Sequence, residues 1–176
     1  IYVWDLGNSD EANTIPYDDG GLYGLTFWQE SDIIAYTPFQ RTYSYIVIDN
    51  NYSALDSVRK QNGGSRFPAY KTTGIDALKV TAAHEFQHAI QFMYGISNPA
   101  PITIMEMCGV AMEIRLYPEV NDYKQYIRNI FSNLSAHPFG VDNAQTGYGF
   151  SIFAKYVMQN YGDVIFKNMW ELLAKN

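Results

Sequence analysis

One cysteine, Cys108, stands in a chain of 176 residues, so no internal disulfide can staple the fold and stability has to come from packing. Charge is sparse at 17% of residues, and basic residues are the scarcer sign. Twelve Lys and Arg against 18 Asp and Glu give a net charge of −6 and a pI near 4.9. No block of Lys and Arg is present to neutralise a run of phosphates, which excludes nucleic acid as a partner. Long apolar runs are missing too. The longest uncharged stretch, Phe86 to Met105, contains Gln87, His88, Gln91, Asn98, Pro99 and Pro101. A membrane span needs about twenty predominantly apolar residues, so none is expected. Internal repeats and low-complexity tracts are absent. The chain opens on Ile1 without a basic segment leading into an apolar one. The expectation is a removed signal or pro-segment, or a piece of a longer chain.

What the chain has in excess is rings: 15 Tyr, 10 Phe and 3 Trp make 16% of it. Rings bury large areas while Tyr keeps a polar tip, so they supply both core and cleft. At 20.1 kDa the length fits one domain with a real core, residues 1–176. Up to about residue 70, short runs rich in β-branched and aromatic residues read as strands: Ile1–Leu6, Leu22–Trp28, Ile33–Thr37 and Tyr43–Ile48. Turn residues separate them, at Asp18-Asp19-Gly20-Gly21, Asn50-Asn51 and Gly63-Gly64. After Thr72 the spacing turns helical. Helices are predicted over Ile75–Tyr94 with Gly95 as stop, Ile102–Leu116 before Pro118, and Asp122–Phe131 with Asn121 as N-cap. Two more follow, Phe150–Asn160 ending near Gly162 and Val164–Lys175. The expected class is α+β: a small N-terminal mixed or antiparallel sheet over about 1–72 with a helix over 75–94, then a helical lobe over about 100–176.

The first of these helices carries His84-Glu85-Phe86-Gln87-His88, an HExxH pattern. Residues four apart share a helix face, so His84 and His88 can aim both imidazoles at one point. Two neutral imidazoles about 2.0–2.1 Å from Zn²⁺ form half of a tetrahedral site. Glu85 is rotated about 100° from His84, too far round to join the same metal easily but able to reach a water held there. That is the geometry needed when a metal acidifies a water and a carboxylate takes its proton. A third ligand cannot come from the extended pattern HExxHxxGxxH, because Gln91 and Tyr94 occupy its Gly and last His positions. Glu106, Cys108 and Glu113 on the next helix are the candidates. Thr103 to Glu106 also matches a capping box, in which Glu106 would only satisfy a helix N-terminus. Glu113, about 10 Å further along the axis, reads as a supporting carboxylate. Gly109 faces as Glu106 does and would let two helices approach closely. Cys108 points about 200° away and reads as a small buried residue.

With HExxH and a Glu eighteen residues beyond His88, the sequence resembles the gluzincin clan of thermolysin-like zinc metallopeptidases. More narrowly, HEFQHAIQFMYG, then Glu106 with Glu113, then Tyr117-Pro118-Glu119-Val120-Asn121-Asp122-Tyr123, is similar to secreted microbial metalloproteases. The upstream segment Ser44 to Asn50 is similar to theirs as well, and the resemblance spans about Tyr43 to Gly162. It implies a zincin-like catalytic domain in which His84, His88 and Glu106 hold one Zn²⁺ and Glu85 is the general base. Many relatives read Glu-Gly-x-Ala at the third ligand, and alignment on Gly109 and Ala111 would put Cys108 there instead. The spacing of Glu106 to Glu113 and Tyr117-Pro118 favours Glu106.

The clan also implies a Tyr or His donor for the oxyanion, for which Tyr148 and His137 are the candidates. Tyr148 lies between two glycines ahead of a predicted helix, where a ring can be exposed; His137 precedes Pro138 in a loop. A protein or peptide substrate would add a strand to an exposed sheet edge. Asp18-Asp19-Gly20 and Asp49-Asn50-Asn51 could bind Ca²⁺, although neither completes an EF-hand loop. The expected function is a secreted zinc metalloendopeptidase. The alternative is a zinc-holding but inactive peptide-binding domain, against which the intact Glu85 argues. A pro-segment is compatible with the sequence, and no feature sets the oligomeric state.

Overall fold

In the computed structural model, residues 1–7, 22–28, 34–36, 39–41, 43–59, 66–94, 101–138 and 141–174 are described. Their architecture is mixed α+β, with short strands first and five helices after. The strands are β1 (Tyr2–Trp4), β2 (Gly24–Trp28), β3 (Ile34–Tyr36), β4 (Phe39–Arg41), β5 (Ser44–Asp49), β6 (Ser57–Arg59) and β7 (Arg66–Pro68). The helices are α1 (Gly74–Met93), α2 (Ile102–Leu116), α3 (Lys124–Ser132), α4 (Ala144–Tyr161) and α5 (Val164–Leu173). None of them is long and apolar enough to cross a membrane.

The main sheet is mixed, in the order β1-β5-β2. β1 runs parallel to β5, pairing Tyr2 with Val47 and Trp4 with Asp49, and β2 runs antiparallel, pairing Gly24 with Ile48 and Thr26 with Ile46. Ile46 and Val47 point to opposite faces and are both buried, as a central strand requires. β3 pairs with β4 and β6 with β7 as separate two-stranded ladders. β4, β6 and β7 carry no alternating pattern of their own, being three residues each with Arg, Gln or Pro among them.

Asp49 closes the central strand. Its carboxylate accepts backbone N–H groups from Leu6 at 2.7 Å, Gly7 at 3.0 Å, Asn51 at 3.0 Å and Tyr52 at 2.5 Å. Burial pushes this carboxyl up, but those donors outweigh it and hold it below its ordinary range. The Asp49-Asn50-Asn51 turn is therefore an anchor between the ends of β1 and β5. Asp5 and Asp56 bring their oxygens within 4.8 Å of it, and Asp18-Asp19-Gly20 lies outside the described residues.

Helix α1 lies against β2 and β5, and α2 packs on α1 from one side and α4 from the other. Nine of the fifteen residues of α2 are buried, so it is the central helix, covered nearly all round. Met105, Met107, Cys108 and Ala111 meet Ala154 of α4 and Trp170 of α5 in the largest apolar cluster.

Two helix starts, those of α3 and α4, differ from the sequence reading by two residues or more, and the start of α2 is capped differently. α2 begins at Ile102 as predicted, but Thr103 lies inside it and forms no capping box. The Thr103 hydroxyl instead bridges to the Val141 and Asn143 carbonyls at 2.9 and 3.0 Å. α3 begins at Lys124 rather than Asp122, because Asn121 adopts a left-handed φ of 47° and Asp122 turns inward to accept from Thr72 Oγ1 and Gln125 Nε2. α4 begins at Ala144, six residues ahead of the predicted Phe150, with the Asn143 side chain accepting from Thr146 N–H at 2.8 Å. Gly147 and Gly149 made that segment read as a loop. They are there because a Cβ would meet the Thr103 carbonyl of α2 at 2.6 Å and Ile130 of α3 at 1.7 Å. Gly95 and Lys175 lie outside the described residues.

Candidate metal centre

Because α1 is covered by β2 and β5 on one side and α2 on the other, polar residues in its middle turns are buried: Thr81, His84, Glu85, Gln87, His88 and Gln91. His84 and His88 sit one turn apart with ring centroids 4.7 Å from each other. Their Nε2 atoms lie 3.0 Å and 3.3 Å from the same atom, Glu106 Oε2 on α2. Ligands about 2.0–2.1 Å from a tetrahedral zinc stand about 3.3 Å apart, so these separations suit a shared ion. Crossing of α1 and α2 brings them together, and Gly109 permits it. A Cβ at 109 would lie 2.7 Å from both Nε2 and Cε1 of His84.

The proton positions follow from the other ring nitrogens. His84 Nδ1 is 2.6 Å from Glu113 Oε1, an acceptor, so Nδ1 carries a proton. Gln91 Nε2 donates to the Met105 carbonyl at 3.1 Å, which leaves its Oε1 to accept from His88 Nδ1 at 2.8 Å. Both histidines, held by these bonds, turn an Nε2 lone pair toward a carboxylate oxygen. Three electron-pair donors converging on one point need a cation among them, a proton or a metal ion. Without a metal the chain answers with protons. Burial lowers His84, yet its contacts with Glu106 and Glu113 outweigh that and raise it well above its ordinary value. Burial likewise raises Glu106, but His84 and His88 overcome it and hold the carboxyl well below the carboxylate range. Glu113 goes up, because its burial exceeds the help from His84.

Beside this group lies a cavity of about 360 Å³, lined among others by His84, Glu85, Glu113, Tyr126, Tyr148 and Lys71. Glu85, 6% exposed, receives the Thr26 hydroxyl on Oε2 at 2.7 Å. Tyr148 is in the second turn of α4 rather than ahead of a helix, and it does have packing obligations. Its ring lies 5.0 Å from that of Tyr126 and 6.0 Å from that of His84. Burial, then the charges of Glu106 and Glu85, push its phenol far up, so the hydroxyl stays protonated. His137 is in the turn after α3 and is not among the residues lining this cavity.

Of the three candidates for a third ligand, the structure brings Glu106 to the Nε2 atoms of both histidines, while Glu113 lies on the Nδ1 side of His84. The ligand atoms of His84, His88 and Glu106 all lie within 4.8 Å of one another. Cys108 instead packs beside Trp170 in the helical core, where burial pushes the thiol up to about 12. Three contributors had no role in the sequence reading: Gln91, Thr26 and Tyr126. Gln91 was within reach of it, standing three residues after His88 on the same helix. Thr26 was not, since 59 residues separate it from Glu85. Comparison of the chain with protein-family models, with curated proteins and with solved structures gave no match.

Proposed function

We propose that the chain is a zinc-dependent metallopeptidase of gluzincin type, with a zincin-like arrangement of sheet edge, HExxH helix and helical lobe. The observation that carries this reading is the convergence of His84 Nε2, His88 Nε2 and Glu106 Oε2 beside a cavity that also receives Glu85. Those three residues would hold Zn²⁺, and Glu113 and Gln91 keep the two imidazoles in the tautomer that presents Nε2. Bound zinc supplies Lewis acidity, which acidifies a water and polarises the scissile carbonyl.

The chain's residues do the rest. Glu85 takes a proton from the attacking water and passes it to the leaving amine nitrogen as the C–N bond breaks. Tyr148, held neutral by its surroundings, donates a hydrogen bond from its hydroxyl to the oxyanion that develops on the substrate carbonyl oxygen. β2, an outer strand of the three-stranded sheet among the described residues, runs beside α1 and offers backbone groups to which an extended peptide can add as a strand. Secretion belongs to the same proposal and rests on the sequence resemblance.

The purified chain should bind one zinc per molecule and cleave casein, with cleavage abolished by o-phenanthroline. Glu85→Gln should keep the zinc and lose about 10²- to 10⁴-fold in kcat. Casein cleavage that survives chelation ends the zinc-enzyme reading. One bound zinc without any cleavage points instead to an inactive peptide-binding domain.

A further inference from the structure

Two residues of β2 shape the surroundings of Glu85, and both belong to the face of the strand turned toward α1. At Gly24, a Cβ would come within 2.9 Å of Glu85 Cγ and 2.7 Å of Thr81 Cγ2, so only glycine leaves the carboxylate arm its place. At Thr26, two residues on and therefore on the same face, the hydroxyl is 2.7 Å from Glu85 Oε2 and 2.9 Å from the Glu85 carbonyl. A hydroxyl has one proton, and the carboxylate oxygen is both the nearer and the stronger acceptor. Oε2 is thereby tied to the sheet, and Oε1 is left as the oxygen free to take a proton.

We propose that Thr26 is a positioning residue: its hydroxyl fixes the rotamer of Glu85 so that Oε1, not Oε2, faces the water to be deprotonated. This rests on the reading of Glu85 as general base. The argument is one of chain stiffness. A glutamate has three side-chain torsions, and a base misplaced by about 1 Å can cost on the order of 10²-fold in rate. The histidines are held through their Nδ1 atoms by Glu113 and Gln91, whereas Glu85 takes its anchor from a different element, strand β2. The strand that would receive the peptide backbone thus also sets the base, so substrate and base share one frame of reference.

The test pairs kinetics with a measurement that needs no activity. Thr26→Val should lower kcat about ten- to a hundredfold, with KM within about twofold of wild type and zinc content unchanged. Thr26→Ser, which restores the hydroxyl, should recover most of the loss. In the metal-free chain, Thr26→Val should lower the unfolding equilibrium constant's preference for the folded state about tenfold when Glu85 is present. The same substitution should cost clearly less in a Glu85→Ala background, where the hydroxyl keeps only the backbone carbonyl of residue 85 as acceptor. A Thr26→Val chain with wild-type kcat, or one whose destabilisation is the same with and without Glu85, overturns the proposal. A wild-type chain that cleaves nothing ends the peptidase reading instead. The unfolding comparison still accepts or rejects the hold of Thr26 on Glu85.

Discussion

Replacing Glu113 by glutamine should weaken zinc binding by one to two orders of magnitude while leaving the chain folded. Glu113 Oε1 lies 2.6 Å from His84 Nδ1, and the residue is 6% exposed, so the contact is a charge-assisted hydrogen bond in a dry setting. Partners of this kind raise the basicity of a liganding imidazole, and their loss costs about 10- to 100-fold in metal affinity, or about 1.4–2.7 kcal/mol. Electrostatics acts in the same direction: the Glu113 charge behind the imidazole favours a cation on the ring's other side, an effect partly offset by desolvation. Glutamine keeps an acceptor for Nδ1 but removes the charge, and it introduces an amide where Glu113 Oε2 has no hydrogen-bond partner. Glu113→Ala should lose more, because the His84 N–H would be left buried and unpaired. The assay is competition for zinc against a chromogenic chelator at fixed pH, with circular dichroism to confirm folding. Glu119→Gln, at a side chain 62% exposed, is the control and should bind as wild type does. A Glu113→Gln chain whose zinc affinity stays within twofold of wild type refutes the reasoning.

Metal content separates Glu106 from Cys108 as third ligand: Glu106→Gln should lose zinc on dialysis, and Cys108→Ser should retain it. Tyr148→Phe should keep zinc and lower kcat by about 10²- to 10³-fold, as removal of an oxyanion donor does; an unchanged kcat removes Tyr148 from the mechanism. The metal-free chain should lose stability as pH rises above about 6.5, the ordinary histidine value, as followed by urea unfolding. His84 is raised in the folded state, so its contribution is complete below 6.5 and disappears as pH climbs through the raised value. Glu113, raised from 4.5, acts in the same direction. The zinc-loaded chain should lack the His84 part of this slope, and a flat profile in the metal-free chain contradicts the assignment.

The sequence located the helices well where the signals are local. α2 runs over Ile102–Leu116 as read from the sequence, since Pro101 and Pro118 bracket it and its apolar residues are continuous. It failed where a residue's reason lay in another helix. Gly147 and Gly149 lower helix propensity locally, yet α4 passes through them because α2 and α3 leave no space for a side chain. That difference decides the setting of Tyr148, which becomes a ring packed on Tyr126 within a helix rather than one exposed on a loop. Asp122 shows the reverse: its type suits a helix N-terminus, but Thr72 and Gln125 draw it inward and the helix starts two residues later.

By itself the sequence determined what helical geometry makes local. Four-residue spacing puts His84 and His88 on one face, and the next position turns Glu85 aside from them; no tertiary information is needed for either. It also determined the class, short strands followed by helices, because periods of two and of 3.6 are properties of consecutive residues. Tertiary structure decided everything that joins distant parts of the chain. Glu106 rather than Cys108 meets the histidines because α2 presents one face to α1 and the opposite face to Trp170. Glu113 takes the far side of His84, 29 residues away, and Thr26 takes Glu85, 59 residues away. Contacts across such separations are fixed by how helices cross and where a strand lies, and those depend on volumes and small residues summed over the whole core.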